Sequence, residues 1–172
     1  MDKQTFELFN GKVAVTCHHT PCHTRGHTCF YLETETQGDH TVSVQNQYKI
    51  IKNLNRIIFT GDMVFIAGCG KFLEGTPVEM LKAMDFMLTL PEDTKMFCGH
   101  EYTKANFLFG SKIEDKTSYW QEYKTIIESG TWTTPSILKN EREYNVFMRT
   151  RVPEVQSKVE ANIEGGLPQD SE

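Results

Sequence analysis

No stretch of this 172-residue chain approaches the roughly 20 consecutive apolar residues of a membrane-spanning helix, so no such span is expected. Basic residues are too few and too scattered to form a phosphate-binding stripe. The 18 Lys and Arg face 23 Asp and Glu, giving a formal charge of -5 and a pI near 5.7. Nucleic acid and other polyanions are excluded on that ground. Cysteine is sparse, odd in number and dispersed, at positions 17, 22, 29, 69 and 98. That usage argues for free thiols rather than a disulfide framework. The opening MDKQTFELFNG has neither a secretory leader's features nor the Arg/Ser bias of a transit peptide. Together with the free thiols, it points to the cytoplasm or a mitochondrial matrix. The marks of nucleophilic catalysis are missing too, since no serine stands in a Gly-x-Ser-x-Gly elbow and no Cys/His pair has a local signature. Gly68-Cys69-Gly70-Lys71 is too short for a phosphate loop of the Walker type.

What the chain does hold is a threefold repetition of one local design. Lys12 to Thr16, Arg56 to Thr60 and Met96 to Cys98 read as short buried strands of β-branched, apolar and aromatic residues, and Cys29 to Leu32 as a fourth. Beyond three strand ends lie TPCHTRGH at 20–27, FTGD at 59–62 and FCGH at 97–100, offering His23, Asp62 and His100 in turn. Two imidazoles and a carboxylate are a zinc or iron ligand set, and a carboxylate can bridge two ions. Metal-activated water is then the simplest chemistry available, with Asp62 at its centre. Lys71 is a cation placed to hold a substrate carboxylate. His27 falls four residues after His23, but Gly26 between them suits a loop or a helix start, and His27 is not taken as a ligand. Cys17, His18, His19 and Cys22 read as ordinary strand and loop residues. Tyr119, Trp120 and Tyr123 read as packing aromatics.

Thr76-Pro77-Val78-Glu79 is a capping box with proline at the first helical position. It opens a helix whose Met80, Leu81, Met84, Met87 and Leu88 make an apolar face fit to cover a sheet, and Pro91 stops it. From Thr103 onward the pattern is helical: Ala105 to Phe109, then Ser118 to Ser129 with Ser118 and Gln121 as a second capping box and Gly130 as stop. Ser136 to Glu141 and Glu154 to Ala161 follow. Residues 33–55 read as an exposed polar hairpin or loop, and the closing GGLPQDSE as a frayed end.

With these residues placed, the chain from about Val13 to Val159 resembles the later part of glyoxalase II, the hydroxyacylglutathione hydrolase of the metallo-β-lactamase superfamily. The resemblance rests on TPCHTRGH, on FTGDMVFIAGCGKFLEGT at 59–76, on FCGHEYT at 97–103, and on TPSIL with YNVFMR at 134–149. It implies an α+β fold: the second half of an αββα sandwich over residues 1–102, then a helical substrate domain, truncated, over 103–172. It further implies a dinuclear zinc or iron site, with His23 on the first ion, Asp62 bridging and His100 on the second. Lys71 and Tyr102 match positions that contact the glutathione part of the substrate. The implied reaction is hydrolysis of S-lactoylglutathione to lactate and glutathione.

The departures from that pattern carry as much weight. Nothing matches the family's Thr-His-x-His-x-Asp-His motif, so each ion would have two protein ligands where three or four are normal. Leu73 stands where a tyrosine is common, and the Arg and Lys that clamp the tripeptide's carboxylates have no counterpart after Val159. Half a sandwich also leaves the inner face of one sheet, expected to include Val13, Val15, Ile58 and Phe59, without cover, at a cost of roughly 1.5–3 kcal/mol for each aliphatic side chain left wet. A protein partner or a second copy of this chain is expected to supply the cover. The chain alone is accordingly expected to be inactive. The alternative from a different class is a noncatalytic docking or structural subunit derived from a glyoxalase II.

Overall fold

The computed structural model describes residues 2–34, 42–43, 50–51 and 54–164. Strands β1 (Thr5–Leu8), β2 (Val13–His19) and β3 (Thr28–Thr34) are followed by the two-residue strands β4 (Val42–Ser43) and β5 (Ile50–Ile51). Then come β6 (Arg56–Gly61), β7 (Val64–Phe65), β8 (Gly68–Cys69), α1 (Pro77–Thr89) and β9 (Lys95–Cys98). The remainder comprises α2 (Thr103–Gly110), α3 (Thr117–Glu128), β10 (Ser136–Ile137), α4 (Leu138–Tyr144) and α5 (Pro153–Glu164). Among the described residues, six strands form one sheet in the order β1-β2-β3-β6-β9-β10. All neighbours are antiparallel except β6 and β9, whose parallel pairing is bridged by α1. A parallel pair needs such a crossover, because a tight turn cannot bring the chain back in the same direction.

Helix α1 starts as the sequence requires. Thr76 accepts from the Glu79 amide, and the Glu79 carboxylate accepts in return from the Thr76 amide at 2.8 Å. Met80, Ala83, Met84 and Met87 are its buried residues, so Ala83 takes a place on the covering face that the apolar pattern assigns to the half-buried Leu81. Below them lie Tyr31, Ile58 and Met96 of the sheet. Thr76→Ala is expected to cost ~1 kcal/mol through loss of the cap, seen as a Tm lower by roughly 2–4 °C in thermal unfolding.

The two faces of the sheet differ. Residues alternate along a strand, so Ile58 points toward α1 and is wholly buried, whereas Phe59 points away and is 43% exposed. Ile58 therefore does not belong to the open face, as the sequence reading has it; α1 already covers that side. Register places Phe6, Leu8, Val13, Val15, Phe30, Leu32, Ile57, Phe59 and Phe97 together on the opposite face. Phe6, Leu8, Phe30 and Phe59 are all exposed there. Val15 is buried even so, its short side chain standing in register between the larger Phe6 and Leu32.

Two helical expectations are corrected. Helix α3 starts at Thr117 without a side-chain cap, and Ser118 lies within its first turn. The turn is set instead by Asp115, whose carboxylate accepts from the Thr117 amide at 2.9 Å and from its hydroxyl. Ser136 and Ile137 are not helical but pair with Met96 and Lys95 at the sheet edge, and α4 begins only at Leu138. An unpaired edge beside β9 outweighs local helical preference there. Tyr119, Trp120 and Tyr123 do pack on the core. Within 33–55, Glu33 and Thr34 belong to β3 rather than to a loop, and β4 and β5 pair as a short antiparallel ladder; residues 35–41, 44–49 and 52–53, and the tail 165–172, lie outside the described residues. Among the described residues no helix is long and apolar enough to cross a membrane.

Candidate metal centre

His23 lies in the turn between β2 and β3, Asp62 directly after β6, and His100 just beyond β9. Because β3, β6 and β9 are adjacent in the sheet, these three loops meet at one edge. The Nε2 of His23 stands 3.4 Å from Oδ2 of Asp62, and the Nε2 of His100 stands 3.4 Å from Oδ1 of the same carboxylate. Two imidazoles thus address opposite oxygens of one carboxylate, which is only partly exposed. Glycine makes the approach possible at two points. A Cβ on Gly99 would fall 2.4 Å from Asp62 Oδ1, and one on Gly70 would fall 1.7 Å from the Asp62 carbonyl oxygen.

The tautomer of His23 follows from its other nitrogen. Nδ1 lies 3.0 Å from the carbonyl oxygen of Lys71, which can only accept, so Nδ1 carries the hydrogen. In the neutral ring Nε2 is then a lone-pair donor aimed at a carboxylate oxygen. Two acceptors face each other across 3.4 Å, an arrangement that calls for a cation between them, either a proton or a metal ion. The spacing suits a metal: donors on bonds of roughly 2.0–2.2 Å at a tetrahedral angle stand about 3.4 Å apart. The backbone carbonyl behind Nδ1 is the usual outer support of a ligating histidine. The donor count does not suffice, because His23 with one oxygen and His100 with the other make two half-sites of two donors each. Among the described residues, no group of three His, Cys, Asp or Glu side chains forms a ready cage for one ion.

The neighbours are chemically quiet. Burial pushes the Cys69 thiol up to about 12 and raises that of Cys98, so neither offers a thiolate at neutral pH. His27 bonds Thr20 Oγ1 through Nδ1 at 2.9 Å, and burial, reinforced by His23, lowers its pKa. It sits against Gly61 as a neutral ring. His19 bonds the Arg25 carbonyl and His18 stacks on Phe86, which leaves both in structural roles.

Tyr102 is half exposed, stacked on the His100 ring with centroids 5.2 Å apart, and set edge-on to Phe65. Lys71 meets the cluster through its backbone, and its side chain is exposed. Sequence reasoning missed the buried polar residues behind the cluster, Glu141 and Asn145 above all. A Glu in a helical stretch reads as solvated unless its partners are known, although Asn145 does stand inside the YNVFMR motif.

In fold the chain is similar to part of a metallo-β-lactamase. A metallo-β-lactamase from Staphylococcus aureus superposes on 98% of this chain and 39% of its own, with a TM-score of 0.57 at 15% identity. Residues 101–168 match the family described as the hydroxyacylglutathione hydrolase C-terminus. The cytoplasmic hydroxyacylglutathione hydrolase of Arabidopsis thaliana is 37% identical over 149 residues, covering 82% of this chain and 50% of the relative. The hydroxyacylglutathione hydrolase of Prochlorococcus marinus is 34% identical over 157 residues, covering 89% and 56%. The chain is similar to these hydroxyacylglutathione hydrolases and spans about half the length of these curated relatives.

Proposed function

We propose that this chain carries one half of a dinuclear metallohydrolase centre for thioester hydrolysis, acting on hydroxyacyl-glutathione thioesters such as S-lactoylglutathione. The observation behind this reading is the pair of imidazole Nε2 atoms, each 3.4 Å from a different oxygen of Asp62. His23 and His100 would each hold one zinc or iron ion and Asp62 would bridge them. When bound, such a pair supplies a water that ionises near neutral pH and a Lewis acid for the thioester carbonyl. Asp62 fixes the spacing of the two imidazoles, the Lys71 carbonyl fixes the ring of His23, and Tyr102 gives a flat surface against the glutathione moiety. The Lys71 ammonium is free to turn toward a glutathione carboxylate. We divide the chain at 102/103 into a partial sandwich and a helical substrate region, a division supported by the family match beginning at residue 101.

The missing donors must come from polypeptide other than the residues described. The same source would cover the apolar face carrying Phe6, Leu8, Phe30 and Phe59, since a patch of this kind on a sheet is costly to leave in water. All five cysteines are free, in keeping with a reducing compartment such as the cytoplasm or a mitochondrial matrix.

The isolated chain is expected to bind zinc weakly in calorimetric titration and to show negligible hydrolysis of S-D-lactoylglutathione. Co-expression with the part of the Arabidopsis relative that this chain does not match is expected to restore hydrolysis. Two tightly held ions and efficient turnover in the chain alone would overturn the half-site reading. No hydrolysis in any combination that binds metal would favour the noncatalytic docking subunit.

A further inference from the structure

Between Asp62 and Lys71 the chain makes a hairpin of only two residue pairs, Val64 with Cys69 and Phe65 with Gly68. A hairpin so short does not hold itself in water. Its tip is also strained, since Ala67 sits at φ 57°, a left-handed conformation in which the Cβ of an alanine crowds the following carbonyl oxygen. What fixes it comes from the helices. The Asn145 amide nitrogen donates to the carbonyls of Phe65 and Gly68 at 3.3 and 3.1 Å, and that of Asn106 to the carbonyl of Ile66 at 2.9 Å. The Ala67 amide donates to Oε2 of Glu141 at 3.1 Å. Glu141 is wholly buried and also accepts from Asn145 at 3.0 Å and from the Tyr144 hydroxyl at 2.7 Å.

Both ends of this hairpin terminate in the cluster. At one end Asp62 bridges the imidazoles; at the other the Gly70 amide donates to the Met63 carbonyl, and the next residue's carbonyl holds His23 Nδ1. We propose that Glu141 and Asn145 are positioning residues: from the helical region they lock the 64–69 hairpin, and through it the Lys71 carbonyl and Asp62, which sets the tautomer and aim of His23. This rests on the metal-site reading above for its functional meaning, though not for its geometry. It gives the helical region a second role beside any contact with substrate. Neither residue touches the cluster directly.

The test is the imidazole 15N spectrum of the metal-free chain at mildly alkaline pH, where the two nitrogens of a neutral ring report its tautomer. Wild-type His23 is expected as a predominant Nδ1–H form. In Asn145→Ala the ratio of Nδ1–H to Nε2–H should fall roughly ten-fold, about the effect of losing one hydrogen bond to a backbone carbonyl. Glu141→Leu should act alike. Glu141→Gln, which keeps an oxygen for the Ala67 amide, should retain the wild-type spectrum. Val155→Ala, a buried position on α5 outside this network, is expected to lower Tm without changing the tautomer. If Asn145→Ala does not fold, Asn106→Ala removes one donor from the same hairpin and should shift the ratio the same way by a smaller factor. A wild-type ring already averaged, or an Asn145→Ala ring unchanged while Tm falls as in Val155→Ala, would overturn the proposal. Metal uptake without the tautomer effect defeats this inference alone, and the tautomer effect without metal uptake defeats only the functional reading.

Discussion

Asp62→Ala is expected to reduce metal uptake by more than the ~10–100-fold that loss of a supporting partner costs a metal site. Among the described residues the carboxylate is the one side chain that both His23 and His100 face, each across 3.4 Å, so its removal leaves each imidazole as a solitary donor there. A single neutral imidazole in water is a poor ligand, and the lost negative charge removes the attraction that gathers a dication there. Cobalt titration followed by visible absorption measures this directly. In the complemented assembly, hydrolysis should fall with metal content. Lys71→Ala is the informative comparison. Its backbone carbonyl, not its ammonium, orients His23, so uptake should stay close to wild type while KM for the glutathione thioester rises. Unchanged metal binding in Asp62→Ala would remove the basis for a bridging carboxylate.

Ile58→Ala and Phe59→Ser should separate the two faces of the sheet. Ile58 is wholly buried beneath α1, and truncating a core isoleucine costs about 2–5 kcal/mol by lost transfer energy and the cavity left behind. Phe59 is 43% exposed and touches Phe97 at a centroid distance of 5.4 Å on the open side. Its replacement should destabilise the isolated chain less than Ile58→Ala does, since much of the ring is already in water, while lowering self-association and apolar dye binding. In the complex with a covering partner the order of importance changes, because Phe59 becomes interfacial and Ser there should weaken assembly. Denaturant unfolding of the isolated chain and sedimentation with and without the partner give the two readouts. Equal destabilisation by both substitutions would mean that the face is covered within this chain.

Periodicity and punctuation made much of the fold legible beforehand. Alternating β-branched and aromatic residues marked β2, β3, β6 and β9, and Thr76 with Glu79 marked the start of α1 by a cap that is purely local. Errors arose where a group outside the segment being read decided the outcome. Ser136 and Ile137 became strand because β9 offers an unpaired edge, and Ser118 lost its capping role because Asp115 one turn earlier supplies the acceptor. Ile58 and Phe59, read together as inner-face residues, had to diverge once both were in one strand. That is a property of the pleat that composition does not reveal.

Sequence alone determined which residue types stand beyond the strand ends, His23, Asp62 and His100, because turn glycines and ligand chemistry are written within a few neighbouring positions. It also led to the expectation of too few donors for two ions, and among the described residues no group of three His, Cys, Asp or Glu side chains comes together. The tertiary structure decided that the two imidazoles oppose one another across a single carboxylate, that the Lys71 carbonyl sets the His23 tautomer, and that Glu141 and Asn145 anchor the hairpin between. Contacts such as that of Ala67 with Glu141 join residues 74 positions apart. They exist only once the sheet order and helix packing have been chosen, so no local reading of the chain contains them.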